Sequence, residues 1–277
     1  MTASFRSEWF RLSRRPAVWF LCAGLLAVLL LFTYLLVWAI FTNPPRGVAT
    51  AGVSPAELKR TLYPADWPRT VLGDTTGLGG AIAVTLGVLV AGSEYGWGTV
   101  KTILTQGPGR LKALAGKALA MELLVAILAV AMMAVGAAAS AVLVTVDGRT
   151  SAWPSAAEVL EALGAAWLIL TMYASLGFVL AVLFRQTGLA LGVGLVYALV
   201  VESIVLNLLR GADVFKPIVS AFPGANATGL VMAFPSIGLR GAAEPLMGAA
   251  QASIVLVAYV VLFAAVSALV FRVRDVD

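Results

Sequence analysis

Residues 118–145 read ALAMELLVAILAVAMMAVGAAASAVLVT, an apolar run with a single charged residue, Glu122. A helix of about 20 apolar residues crosses the roughly 30 Å of hydrocarbon in a bilayer. The run exceeds this length, and it therefore predicts a transmembrane helix.

Five more apolar segments of similar length set the overall pattern of the chain. The hydrophobic share is 61% and the charged share is 12%, whereas a soluble domain carries about 25% charged residues. None of the 12 prolines falls inside a segment, so each segment is predicted to be a continuous helix. The sequence predicts an all-α integral membrane protein, one transmembrane domain over residues 1–277 with spans at 17–41, 74–92, 118–145, 157–183, 188–209 and 250–271.

The positions of lysine and arginine predict how the six segments are oriented. With both termini inside, eleven of the 19 Lys and Arg residues lie in the inner loops and tails, as the positive-inside rule expects. We therefore expect a multi-pass protein with cytoplasmic termini, and we attribute the net charge of +5 to this topology rather than to nucleic-acid binding. Residues 4–15 are predicted to form an interfacial helix with Phe5, Trp9 and Leu12 on its apolar face. The alternative is a basic topology signal without a role of its own.

The chain lacks the residues that several kinds of chemistry require. The chain has no histidine and one cysteine, Cys22, which excludes bis-histidine haem ligation and an internal disulfide and removes the commonest ligand of catalytic zinc. We predict no metal or cofactor bound by this chain. The string nearest to a Walker A motif, residues 111–118, has Leu111 in place of the first glycine and Ala118 in place of the final Ser or Thr. We therefore predict that the chain is not an enzyme and that any ATP is hydrolysed elsewhere.

Short helices are predicted between the spans. The capping-box pattern S-x-x-E occurs at 54–57 and at 155–158, which predicts a helix start at each site. Asp74 is expected to cap the second span. Residues 224–233 are moderately apolar but too few to cross a bilayer, so they predict a short re-entrant or interfacial helix.

Residues 93–117, between the second and third spans, differ from an ordinary loop. Glu94 opens the stretch, and Thr99 can cap a short helix with Ile103 and Leu104 on its apolar stripe. Gly107-Pro108-Gly109 ends that helix, and a basic segment leads to the next span. An amphipathic helix held between two spans suits the transmission of a partner's motion into the membrane.

This stretch resembles the coupling region in the permease subunits of type-2 ABC transporters. The matching positions comprise a glutamate at the end of the second span, a Gly-Thr pair, an aliphatic pair, a proline turn and two basic residues: Glu94, Gly98, Thr99, Ile103, Leu104, Pro108, Arg110 and Lys117. The six-span layout and the Phe222-Pro223-Gly224 segment after the fifth span are similar as well. The Gly-Pro-Gly turn departs from the family, which often has an aliphatic or polar neighbour followed by Ser-Arg.

The resemblance implies partners and a function. It implies a separate ATP-binding subunit that binds ATP and Mg²⁺ and contacts the coupling helix, in a complex of two permease and two ATPase chains in a bacterial cytoplasmic membrane. It also implies export of a drug-like, peptide or lipid substrate, and it leaves open whether the two permease chains are identical. The alternative is a plain charged loop whose Arg and Lys residues only fix topology.

Three polar residues lie within predicted spans. Glu122 lies about one turn into the third span, and Glu202 and Asn207 lie in the outer half of the fifth. A carboxylate in hydrocarbon is costly unless it is paired, protonated or exposed to water, so each residue is a candidate for contact with substrate or with another subunit. Glu202 is the stronger candidate, for contact with a polar or cationic substrate or for a bond across a subunit interface. The structural alternatives are that Glu122 reaches interfacial water and that Glu202 pairs with Arg210.

Two pairs of small residues predict close helix approach. Gly87 and Ala91 form one pair in the second span, and Gly188 and Gly192 form another in the fifth. Most such contacts are expected within the chain, and some in a permease dimer.

Two other functional classes remain open. A secondary transporter favours discontinuous spans, and the predicted continuity of the six helices argues against it. A non-transporting membrane scaffold or signalling subunit is compatible with the same spans.

Overall fold

The structure, a computed structural model, describes residues 2–42, 54–96, 109–204, 215–236 and 247–273. The regular elements in these ranges are helices: α1 (Thr2–Ser13), α2 (Pro16–Thr42), α3 (Pro55–Arg60), α4 (Trp67–Thr75), α5 (Leu78–Gly96), α6 (Arg110–Val146), α7 (Ala156–Phe184), α8 (Thr187–Ile204), α9 (Lys216–Ala221), α10 (Pro223–Met232) and α11 (Ala249–Val273). The predicted all-α class is confirmed for the described residues.

Several of these helices are suited to a membrane. Within the described ranges α2, α6, α7, α8 and α11 are each long and apolar enough to cross a bilayer, and the bent pair α4–α5 brings the total to as many as six. Large apolar side chains lie exposed on the outside of the bundle, among them Phe32 and Ile254. Such a surface is unfavourable in water and favourable against lipid, which agrees with a multi-pass membrane protein.

The second predicted span is not one continuous helix, and this prediction was wrong. Helices α4 and α5 meet at an angle of 51°, and Gly77 between them has a φ of 57°, a left-handed conformation that glycine adopts at little cost. Asp74 consequently lies inside α4 and does not cap the following helix. The absence of proline did not ensure continuity, because a left-handed glycine breaks a helix as well.

Helices α5 and α7 cross closely in the core. A Cβ on Gly87 would collide with the carbonyl of Ala174, and a Cβ on Gly177 would collide with the carbonyl of Val84. The two glycines thus let the backbones approach directly, as the small residues of the second span predicted. By contrast, added Cβ atoms on Gly188 and Gly192 of α8 would meet open space within the described residues.

One end of the bundle, which we call the basic end, joins α1 to the spans. Lys117 of α6 is 4% exposed, and its Nζ lies 3.1 Å from Glu8 Oε1 on α1. Glu8 also accepts a hydrogen bond from Arg11, and Arg15 donates to the carbonyl of Leu89 on α5 at 3.2 Å. The predicted amino-terminal helix is confirmed, and it is attached to both α5 and α6.

The opposite end, which we call the Asp147 end, is held by a polar cluster. Asp147 accepts hydrogen bonds from Lys59 Nζ at 2.7 Å, from the Tyr63 hydroxyl at 2.7 Å and from Trp38 Nε1 at 3.1 Å. Burial, together with the Asp147 carboxylate, raises the pKa of Tyr63 to about 12, so its hydroxyl remains a donor at neutral pH. The capping box predicted at Ser54 is present and begins α3 within this cluster.

Two further predicted helix starts agree with the structure. The capping box at residues 155–158 begins α7, and the predicted short helix after the fifth span is α10, which has a largely buried surface. Asn226 of α10 is fully buried, and its side-chain amide donates to the carbonyls of Ser220 and Phe222 at 2.7 and 2.8 Å. These bonds fix the turn from which α10 enters the bundle.

Candidate intramembrane site

A groove of about 580 Å³ lies between α6, α7 and α11. Its wall is mostly apolar and includes Met121, Phe178, Val260 and Phe263. It runs from Leu111 near the basic end toward the middle of α7. Its volume falls within the roughly 300–1,000 Å³ of pockets that hold small ligands, and we call it the Glu122 groove.

Glu122 is the carboxylate on the wall of this groove. The Thr171 hydroxyl of α7 donates to Glu122 Oε2 at 2.8 Å, and Trp167, one turn away on α7, faces the same carboxylate. Glu122 is half-buried, and none of the residues that line the groove is a lysine or an arginine. The carboxylate therefore has neutral hydrogen-bond donors but no cation among the lining residues.

Helix α11 contributes a second polar group to the groove. Ser267 is 2% exposed, and its hydroxyl has no hydrogen-bond partner among the described residues. A buried hydroxyl without a partner costs about 1–3 kcal/mol.

Glu202 lies elsewhere, in a closed position. It is 4% exposed and is not among the residues that line the Glu122 groove. The Tyr173 hydroxyl of α7 donates to Glu202 Oε2 at 2.5 Å, and the carboxylate rests against Gly224 in the first turn of α10, where a Cβ would collide with it. A helix amino terminus carries a partial positive charge that favours a carboxylate, so Glu202 fastens α8 to α7 and α10.

The two acidic residues lie in different surroundings, and contact of either one with a substrate or with another subunit stays a prediction. Glu122 lines a groove that can receive a ligand, whereas Glu202 is enclosed by Tyr173 and α10. Asn207 and Arg210, the partner suggested for Glu202, lie outside the described residues.

The predicted coupling residues are described only in part. Gly98, Thr99, Ile103 and Leu104 lie outside the described residues. Glu94 belongs to the last turn of α5 and Arg110 begins α6, and the structure describes only their helical backbone. Lys117 is buried and paired with Glu8, as given above. Contact of these residues with a partner stays a prediction.

Sequence reasoning missed the polar residues that α7 contributes. Trp167, Thr171 and Ser175 recur every four residues in the fourth span and all line the Glu122 groove. This spacing places them on one helix face, a signal that was available in the sequence. The involvement of Tyr173 and Ser267 depends on packing between distant segments and left no comparable pattern.

Comparison with known proteins places most of the chain in one family. The family model described as a protein of unknown function, DUF2705, matches residues 81–276, a range that includes α6, α7 and α11 around the groove. No curated protein matches the chain. Because the match covers more than two thirds of the 277 residues, the chain belongs to the family of proteins of unknown function DUF2705.

Proposed function

We propose that this chain is the permease subunit of an ATP-driven type-2 ABC transporter, an exporter in a bacterial cytoplasmic membrane. In this proposal the chain crosses the bilayer six times, with the bent pair α4–α5 as the second span and both termini in the cytoplasm. A separate ATP-binding subunit in two copies binds ATP and Mg²⁺, and a second permease chain completes the complex. Residues 93–117 contact the ATP-binding subunit.

The observation that carries the proposal is the length and continuity of α6. Its 37 residues extend about 55 Å at 1.5 Å per residue, whereas the hydrocarbon is about 30 Å thick. In the proposed topology the coupling segment leads directly into the first turns of this helix, on the cytoplasmic side. Motion of that segment would therefore pass along an unbroken helix to the wall of the Glu122 groove.

The attachment of α1 supports the same proposal. The coupling segment is bounded by α5, which ends at Gly96, and by α6, which begins at Arg110. Arg15 is bonded to the α5 backbone, and Glu8 is paired with Lys117 of α6. A force applied to the segment would thus reach two spans and the interfacial helix together.

The test is co-purification of the tagged full-length protein from its native membrane in mild detergent, with mass spectrometry of the proteins recovered. We expect a stoichiometric ATPase that carries a Walker A motif, and we expect it to be lost from Glu94→Ala and Arg110→Glu. Arg272→Glu is the matched control, because this basic residue lies near the same end on α11 and outside the coupling segment. Recovery of no such ATPase under several gentle conditions would overturn the proposal.

A secondary transporter is the second candidate, and the bend at Gly77 favours it. Broken helices are typical of that class, and the bent pair α4–α5 supplies such a break. Vesicles that contain the purified chain alone separate the two candidates. Uptake driven by an ion gradient without ATP would support the secondary transporter and contradict the ABC proposal.

A further inference from the structure

We propose that the Glu122 groove binds a cationic amphiphile, with a protonated amine against Glu122 and an apolar body along α6, α7 and α11. The identification of this ligand as the exported substrate rests on the proposed function. The binding of the ligand to the groove does not rest on it, because it is inferred from the residues of the groove alone.

The charge of the groove selects the amine. A carboxylate in an apolar site is stabilised by a counter-ion or by a proton. The Thr171 hydroxyl and the Trp167 indole supply neutral hydrogen bonds to Glu122, and the lining residues supply no positive charge. A ligand with a protonated amine would bring the missing charge and would donate to the carboxylate directly.

Ser267 adds a polar residue to the wall of the groove on α11. Its hydroxyl oxygen is buried and has no partner among the described residues. The ammonium group bonds to Glu122, whose two carboxylate oxygens accept from its N–H donors. A neutral hydrocarbon would leave Glu122 without a ligand contact.

The apolar walls select the rest of the ligand. Apart from the polar groups already named and Ser175, the lining side chains are apolar, and the groove extends along the basic end as far as Leu111. Because Val257 and Ala264 of the lining are exposed on the outside of the bundle, an amphiphile in the membrane would reach the groove sideways. Burial of its apolar body stabilises the complex in proportion to the area removed from water.

The experiment is photolabelling of the full-length protein in phosphatidylcholine nanodiscs. The probe is dodecylamine with a diazirine on its tail, and the matched neutral probe is the corresponding dodecanol. We expect the amine to label residues of the groove, and Glu122→Gln to reduce this labelling by roughly tenfold or more, as expected for the loss of a buried charge pair. Labelling by the alcohol should be weaker and should not change in Glu122→Gln.

Two variants keep the result interpretable. Glu161→Gln removes an exposed carboxylate of α7 outside the groove and should leave labelling by the amine unchanged. Ala264→Trp fills the groove from an exposed lining position without altering Glu122, and it should abolish labelling there even if Glu122→Gln fails to fold.

Three outcomes would overturn the proposal. The first is equal labelling by the amine and the alcohol, which would mean that hydrocarbon alone fills the groove. The second is unchanged labelling in Ala264→Trp, which would place the amine elsewhere. The third is a disulfide between two copies of Val257→Cys in a Cys22→Ser background, which would mean that a second chain covers the groove. These measurements need no ATP-binding subunit. They would therefore still test ligand binding if the co-purification recovered no ATPase.

Discussion

Lys117 Nζ lies 3.1 Å from Glu8 Oε1, and this ion pair joins the amino-terminal helix α1 to the longest helix of the bundle. Both side chains are largely buried, with exposed fractions of 5% and 12%. A buried charge that loses its partner is costly. The pair therefore fixes where α1 sits relative to the segment proposed to receive the force of a partner.

We expect Glu8→Gln to lower the free energy of unfolding by about 1–3 kcal/mol, because the partly buried ion pair between Glu8 and Lys117 would be lost. The measurement is the thermal unfolding midpoint of the purified protein in detergent. Arg6→Gln is the control, since Arg6 lies exposed on the same helix, and it should leave the midpoint unchanged. Equal midpoints for Glu8→Gln and the wild type would show that the pair does not stabilise the fold.

Gly87→Ala and Gly177→Ala should each destabilise the protein by about 1–3 kcal/mol, because the added methyl group forces α5 and α7 apart. The colliding atoms are backbone carbonyls, which cannot rotate away as a side chain would. Gly188→Ala is the matched control in open space. The measurement is the thermal unfolding midpoint of the three variants. If Gly188→Ala lowers the midpoint as much as Gly87→Ala does, the packing argument is contradicted.

Tyr173→Phe should cost about 1–3 kcal/mol, because Glu202 would lose the Tyr173 hydroxyl as a donor while the ring volume is kept. The Tyr197 hydroxyl and the Gly224 backbone remain beside the carboxylate. Tyr259→Phe is the control, since the Tyr259 hydroxyl donates to a backbone carbonyl at an exposed position, and its loss should cost less. Glu202→Gln in the Tyr173→Phe background should restore part of the stability, because a neutral amide is easier to bury without that donor than a carboxylate. Additive losses in the double variant would refute this coupling.

The Asp147 cluster should make the free energy of unfolding depend on pH in the acidic range. Burial acts to raise the pKa of the Asp147 carboxyl, but hydrogen bonds from Lys59, Tyr63 and Trp38 outweigh it and lower the pKa below its ordinary 3.8. A carboxyl whose pKa is lower in the folded state contributes stability that is fully present above its unfolded-state value, and this contribution disappears as the pH falls through the folded-state value.

We therefore expect Asp147→Asn to be less stable than the wild type by about 1–3 kcal/mol at neutral pH. The difference should shrink as the pH is lowered through and below 3.8. Unfolding midpoints measured against pH for the two proteins test this expectation. A difference that stays constant with pH would mean that the charge of Asp147 does not stabilise the cluster.

Much of the fold was predictable because it depends on local composition. Long apolar runs predicted the spans, and S-x-x-E patterns at 54–57 and 155–158 predicted two helix starts that the structure contains. The bend between α4 and α5 was missed because Gly77 can be helical or left-handed according to its surroundings. The Glu122 groove was missed because α11, which closes it against α6 and α7, is distant in sequence, although the four-residue spacing of polar side chains in α7 pointed to a polar face.

The sequence by itself determined that the chain is helical and suited to a membrane, because both properties follow from the length and hydrophobicity of segments that each form their own backbone hydrogen bonds. Only the tertiary structure decided the surroundings of the two acidic residues. Glu122 and Glu202 are equivalent as isolated carboxylates in apolar segments. Packing places one on the wall of an open groove and encloses the other between Tyr173 and α10, since the surroundings of a side chain are set by residues that are distant along the chain.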